Sequence, residues 1–208
     1  MEHKIIVVGI GPGSKDYILP IALKKIAAAK ILVGSERALA DYAADGQKTA
    51  PITADIQAAI AFIREESQQE DVVVMVSGDP GYYSLLAALR NEFDISRLEV
   101  IPGVSSMQVA FSRIALPWQN ADLMSLHGRL PDYASLAYEK GRVVGILTDA
   151  EHNSQRIAML FLDAGWPPNT PVFVGEKLSY PDENMVQTNL IRATAEPAIR
   201  HCIMVVTG

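Results

Sequence analysis

Cysteine is almost missing from this chain: Cys202 is the single one among 208 residues. No internal disulfide can form, so the fold rests on packing and hydrogen bonds, and a reducing cytoplasm is the expected setting. Cys202 opens the apolar run CIMVVTG, where a buried, inert thiol is expected. Long hydrophobic runs are missing as well. None reaches the roughly 18 residues needed to cross a bilayer. The opening MEHKIIVVGIGPG carries only a short apolar stretch ended by glycines, so it is not expected to be a signal peptide. Positive charge is outnumbered: 18 Lys and Arg stand against 24 Asp and Glu, a net charge of −6. That balance argues against nucleic acid or an anionic membrane as partner. The four histidines, His3, His127, His152 and His201, fall at no metal-ligand spacing, so no metal site is expected. No Cys–His or Ser–His–Asp arrangement is supported by local spacing, and the chain has no tandem repeat or low-complexity tract.

What is present is an alternation of strands and helices. KIIVVGI (4–10), ILVG (31–34), DVVVMVSG (71–78) and LEVIPG (98–103) read as strands, the first a β-branched run of the kind buried in parallel sheets. Between them lie helical stretches: DYILPIALKKIAAAK (16–30), capped by Asp16 with Pro20 in its first turn, then DIQAAIAFIREESQQ (55–69), whose Ile56, Ile60 and Ile63 line one face, then YYSLLAALRNEF (82–93) and SSMQVAFSRIA (105–115). Such alternation implies an α/β fold with a mostly parallel sheet. LPWQNAD (116–122) breaks the pattern, which places an N-terminal domain at 1–117 and a C-terminal one at 122–208. The second half reads as strand DLMSLHG, helix YASLAYEKG (133–141), strand RVVGILT, helix NSQRIAMLFLDAG (153–165), and strands TPVFVGEKL, NMVQTNLI and HCIMVVTG. Its hairpin signals predict a mixed sheet.

Glycines gather at strand ends: Gly9, Gly11 and Gly13, then Gly34, Gly78 and Gly81, and Gly103. In open α/β sheets ligands bind beyond the carboxyl ends of the strands, and glycine lets them approach the backbone. GIGPGSKD is not a dinucleotide fingerprint, because Ser14 stands where the third glycine belongs and Pro12 removes an N–H; this counts against a nicotinamide dehydrogenase. A phosphate loop is also absent, since no Gly-Lys-Ser/Thr occurs. Asp79 either accepts hydrogen bonds from a ribose or amino group or caps the helix that follows. Ser105 and Ser106 either cap the next helix or help hold a carboxylate at its start. His127, beside Gly128 and Arg129, is either a functional imidazole or a satisfied structural one, and Arg129 suits an anionic substrate. On these features alone, an enzyme and a non-catalytic nucleotide-binding module both stand.

Four stretches together, VVGIGPGSKDYIL (7–19), VMVSGDPGYYS (74–84), IPGVSSMQVAFSRIALPWQNADLMSLHGR (101–129) and VFVGEKLSYPDE (172–183), resemble the tetrapyrrole methylases in content and order. The resemblance spans nearly the whole chain. It implies two α/β domains with S-adenosylmethionine (SAM) in the cleft between them, and a methyltransferase. By this resemblance Pro12, Gly78, Asp79, Tyr82, Tyr83, Ser105 and Ser106 contact the cofactor, joined by Leu147, Thr148, Gly175 and Leu178 of the second domain. The third stretch is the most specific. It implies methyl transfer to C5 of the corrinoid intermediate cobalt-precorrin-7 in cobalamin biosynthesis, rather than to another ring position or to a protein, as in diphthine synthase. Lys15, Arg37 and Arg129 are the expected partners of the substrate's carboxylates, and His127 the expected catalytic residue. A homodimer is implied, beside a C15-methylating decarboxylase for which a chain ending at Gly208 leaves no room. Two departures stand out. Leu19-Pro20 replaces the family's usual Leu-Thr, and Gly81 and Ser84 alter the wall of the Gly-Asp-Pro loop.

Overall fold

The computed structural model describes residues 3–129 and 132–208. Contacts divide the chain between Ser105 and Ser106 into two compact units.

The first unit is built from β1 (Ile5–Gly9), α1 (Pro20–Ala28), β2 (Ile31–Gly34), α2 (Glu36–Tyr42), β3 (Lys48–Pro51), α3 (Ile56–Glu66), β4 (Val72–Val76), α4 (Leu86–Glu92) and β5 (Leu98–Ile101). Its sheet has the order β3-β2-β4-β1-β5, and every pairing is parallel. β1, β2 and β4 are buried along their whole length, as expected of strands covered on both faces. The period of two sorts their side chains. Ile5, Val7, Val72 and Val74 meet Ile60 and Ile63 of α3 and Leu89 of α4. Ile6, Val8, Val73 and Met75 meet Ala22 and Ile26 of α1 and Ala38 of α2.

Two helices begin later than the sequence predicts. Residues Lys15–Tyr17 form a 3-10 turn, and α1 starts at Pro20, with Leu19 as its cap residue and no side-chain capping bond. Proline lacks an N–H and has a helix-ready φ, so it fits the first helical position better than the interior of a longer helix. Asp16 therefore does not cap α1. Likewise α4 begins at Leu86 rather than Tyr82. The segment 35–54, featureless by periodicity, holds α2, capped by the Ser35 hydroxyl, and the exposed edge strand β3.

The second unit comprises α5 (Ser106–Arg113), β6 (Asp122–Ser125), β7 (Val143–Leu147), α6 (Ser154–Asp163), β8 (Pro171–Glu176), β9 (Asn184–Asn189), α7 (Leu190–Ala193) and β10 (Cys202–Thr207). Its sheet order is β6-β7-β10-β8-β9; β6 and β7 are parallel and the other pairs antiparallel. One face packs Val144, Ile146, Val174 and Met204 against Ile157, Phe161 and Trp166. On the other face α5 reaches β7. A β-carbon on Gly145 would stand 2.7 Å from Met107 Sδ and 3.0 Å from Phe111, so glycine here admits the helix. That packing assigns α5 to the second unit, whereas the sequence places the break after it. The stretch read as a helix at 133–141 is only a 3-10 turn, Tyr133–Leu136. It is pinned by Trp166 Nε1, which donates to the Leu136 carbonyl at 2.7 Å.

Candidate active site

In the first unit three loops leave the carboxyl ends of β1, β4 and β5 and touch one another. Ile10 N–H donates to Val76 O at 2.9 Å and Gly78 N–H to Gly11 O at 2.8 Å, so the first two loops are laced together. A β-carbon on Gly9 would lie 2.6 Å from Gly78 O and 2.7 Å from Gly103 Cα; one on Gly103 would lie 2.3 Å from Gly78 O. These two glycines are therefore required by backbone meeting backbone. Asp79 fastens the same junction. Its Oδ1 accepts the Gly81 N–H at 2.8 Å and its Oδ2 accepts the Gly103 N–H at 3.0 Å. It does not cap α4, whose cap residue, Leu85, makes no side-chain bond.

Tyr82 and Tyr83 extend the Gly-Asp-Pro loop as an edge-to-face pair, with centroids 4.9 Å apart. The Tyr82 hydroxyl is enclosed and has no hydrogen-bond partner among the described residues. Burial, and then the neighbouring Tyr83, push its pKa up. Tyr83 is exposed at φ 49° and lines a cavity of about 420 Å³ with Ile52, Ile56, Met75, Leu85 and three serines, Ser35, Ser77 and Ser84. Pro12 is half-buried and Ser105 buried. Exposed Lys15 donates to the Asp41 carbonyl at 3.3 Å and sits 5.3 Å from the Tyr42 ring, at the end of the helix that carries the exposed Arg37.

In the second unit β6, β7 and β8 all end at the same edge of the sheet, because β7 and β8 both run antiparallel to β10. Leu147 and Gly175 flank Ile203 in register. Leu178 folds back over Gly175, where an added β-carbon would stand 2.8 Å from its Cδ2. Thr148 is buried and its hydroxyl is engaged: Oγ1 accepts the Cys202 N–H at 2.7 Å and donates toward Cys202 Sγ at 3.3 Å. The Thr148 N–H also stays within the protein, donating to Cys202 O at 3.1 Å. Burial pushes the Cys202 thiol up to about 11, which makes it inert. His127, exposed at the end of β6, brings Nδ1 within 3.3 Å of the Thr148 carbonyl. A carbonyl only accepts, so a hydrogen bond here requires Nδ1–H, the arrangement that leaves Nε2 facing away from this carbonyl. The His201 ring lies 6.0 Å away. Arg129 follows on the same exposed loop, its N–H donating to Leu126 O at 3.4 Å.

The sequence reading passed over Asp149, which organises this edge. Its Oδ2 accepts the Gly128 N–H at 2.7 Å, and its Oδ1 accepts the N–H groups of Glu151 at 2.9 Å and His152 at 2.6 Å. Burial pushes its carboxyl up, but the bonds from Gly128, His152 and Glu151 outweigh that and hold it below the usual carboxylate range. Its local signal was legible in principle: Asp followed by N–H donors two and three residues on is an Asx turn. The bond to Gly128 was not. Among the described residues no cluster of His, Cys, Asp or Glu could hold a metal ion, and no helix is long and apolar enough to cross a membrane.

Residues 4–193 match the family model described as Tetrapyrrole (Corrin/Porphyrin) Methylases. The chain is 32% identical over 179 residues to the cobalt-precorrin-7 C(5)-methyltransferase of Salmonella typhimurium, covering 86% of this chain and 87% of that one. It is 26% identical over 190 residues to the probable cobalt-precorrin-7 C(5)-methyltransferase of Methanocaldococcus jannaschii, covering 87% of each. The fold matches the crystal structure of the methyltransferase CobJ with a TM-score of 0.84 at 19% identity, over 99% of this chain and 94% of that one. Glycine-laced loops on a parallel sheet, a mixed second sheet and these likenesses agree: the chain belongs to the tetrapyrrole methylases and is a methyltransferase that uses SAM.

Proposed function

We propose that the chain methylates C5 of cobalt-precorrin-7 in cobalamin biosynthesis. The observation that carries this reading is the 32% identity to the Salmonella C(5)-methyltransferase across most of both chains. The bound donor supplies a methyl group already activated by its sulfonium charge, and the macrocycle is an electron-rich carbon nucleophile. The protein's task is then to align the partners at about 3–3.5 Å and exclude water.

Pro12, Gly78, Asp79, Tyr82, Tyr83 and Ser105, with Ser106, Leu147, Thr148, Gly175 and Leu178, hold SAM in this reading. One feature fits such a ligand: the enclosed Tyr82 hydroxyl has no protein partner among the described residues. Lys15, Arg37 and Arg129 meet substrate carboxylates. A ring carbon that gains a methyl and bears a hydrogen must shed a proton, and His127 Nε2 takes it, because the Thr148 carbonyl occupies the Nδ1–H. The enzyme works as a homodimer in the cytoplasm, with a C15-methylating decarboxylase as its partner in the pathway. Family habit supports the dimer and the partner, and the single buried thiol supports the compartment.

The test is mass spectrometry of cobalt-precorrin-7 incubated with protein and SAM. The substrate should gain one methyl. His127→Ala should slow the gain about 10²-fold or more while S-adenosylhomocysteine binds as before. Wild-type turnover in His127→Ala would remove His127 from the mechanism, and no methyl gain by the wild type would overturn the substrate assignment.

A further inference from the structure

We propose that Asp149 is a positioning residue for the reaction: its carboxylate clasps the His127–Gly128 loop to the exit of β7 and so fixes the His127 ring with Nδ1–H on the Thr148 carbonyl. The proposal builds on the role given above to His127.

The geometry is specific. Asp149 splits its two oxygens between two loops. Oδ1 closes its own turn through the N–H groups of Glu151 and His152, and Oδ2 reaches 21 residues back in sequence to the Gly128 N–H at 2.7 Å. Gly128 adopts φ 64°, and no described residue lies within 4 Å of a would-be β-carbon. Its N–H is tied down by the Asp149 carboxylate. On the other side of the clasp, the Thr148 carbonyl that receives His127 Nδ1 belongs to the residue just before Asp149. One carboxylate thus sets both the ring's loop and the strand end that orients the ring. His152 supports it from below: the side chain is buried, its Nδ1 is 3.6 Å from Asp149 Oδ1, and that nitrogen makes no hydrogen bond among the described residues. The Asp149 carbonyl also accepts the His201 N–H at 3.4 Å, which brings the start of β10 into the same assembly.

A merely structural Asp149 and a positioning one differ in what Asp149→Ser does. Serine keeps an acceptor for the local turn but has no second oxygen for Gly128. Asp149→Asn keeps the shape and loses the charge and one acceptor. The readouts are the nitrogen-15 spectrum of the imidazoles, which reports the His127 tautomer without any substrate, and the kcat and KM for methyl transfer. The wild type should show His127 protonated on Nδ1 alone, and both variants a mixture of the two tautomers. In both, kcat should fall about 10–100-fold with the KM for SAM and the melting temperature of Asp149→Ser little changed. An unchanged tautomer in both variants overturns the proposal. So does unfolding of both, which would make Asp149 a fold residue. A tautomer shift in a protein that methylates no precorrin would leave the clasp standing and reject the substrate reading instead.

Discussion

Gly103 has no room for a β-carbon, and the reason is a carbonyl from the loop after β4. Gly103→Ala places Cβ 2.3 Å from Gly78 O and 2.9 Å from Gly9 Cα, so β-strand ends must move. It should cost about 3 kcal/mol or more, a melting point lower by about 6–12 °C. Gly46→Ala is the contrast, with φ 86° and nothing within 4 Å; backbone strain alone should cost about 1–2 kcal/mol. Equal losses in a thermal melt would refute the close-approach explanation. Asp79→Ala strands the Gly103 N–H bonded by its carboxylate. We expect both a lower melting point and at least about tenfold weaker S-adenosylhomocysteine binding by calorimetry; unchanged affinity would separate Asp79 from the cofactor site. Sequence alone made the glycines and Asp79 visible as a cluster at strand ends. It did not reveal that Gly9 and Gly103 face each other, or that Asp79 spends its oxygens on backbone 2 and 24 residues away, because those partners are set by strand order. The bond from Asp149 to the Gly128 N–H was hidden for the same reason.

Elements were legible where their physics is local. The β-branched runs of β1, β2 and β4 are buried on both faces and read as continuous apolar segments. The edge strand β3, KTAP, is largely exposed and held to β2 by backbone pairing, so no side-chain pattern marks it. α5 carries buried residues on more than one side, and its destination depends on the gap at Gly145. The loop after β8 offers a test at this scale. Glu183 receives Arg113 through two bonds, at 2.7 and 3.1 Å, and also the Ser179 N–H, at φ 76°. The Arg113 bonds hold the Glu183 carboxyl below its usual range, against a smaller effect of burial. A carboxyl whose folded pKa is depressed stabilises fully above its unfolded pKa of about 4.3, and that contribution fades as the pH falls through the folded value. Glu183→Gln should therefore cost about 1–2 kcal/mol near neutrality. The gap from wild type should narrow in denaturant melts below about pH 4. A gap independent of pH would mean that the pair contributes no linked stability.

At the scale of the whole molecule, the two-sheet α/β architecture and the parallel-then-mixed order were open to sequence reading, since alternation and hairpin signals are global patterns. The unit boundary was not, because the break at 116–122, with its proline and polar residues, lies beyond a helix that packs forward onto the second sheet. Both sheets present their ligand-facing candidates at carboxyl strand ends, where α/β proteins bind ligands. The central claim is the atom that receives the methyl group, and one experiment addresses it directly. Purified protein, cobalt-precorrin-7 and SAM labelled with carbon-13 in its methyl group are incubated together, and the product's carbon-13 spectrum is read. The account predicts a single enriched methyl attached to C5. Label at any other ring carbon, with C5 left unmethylated, would contradict it.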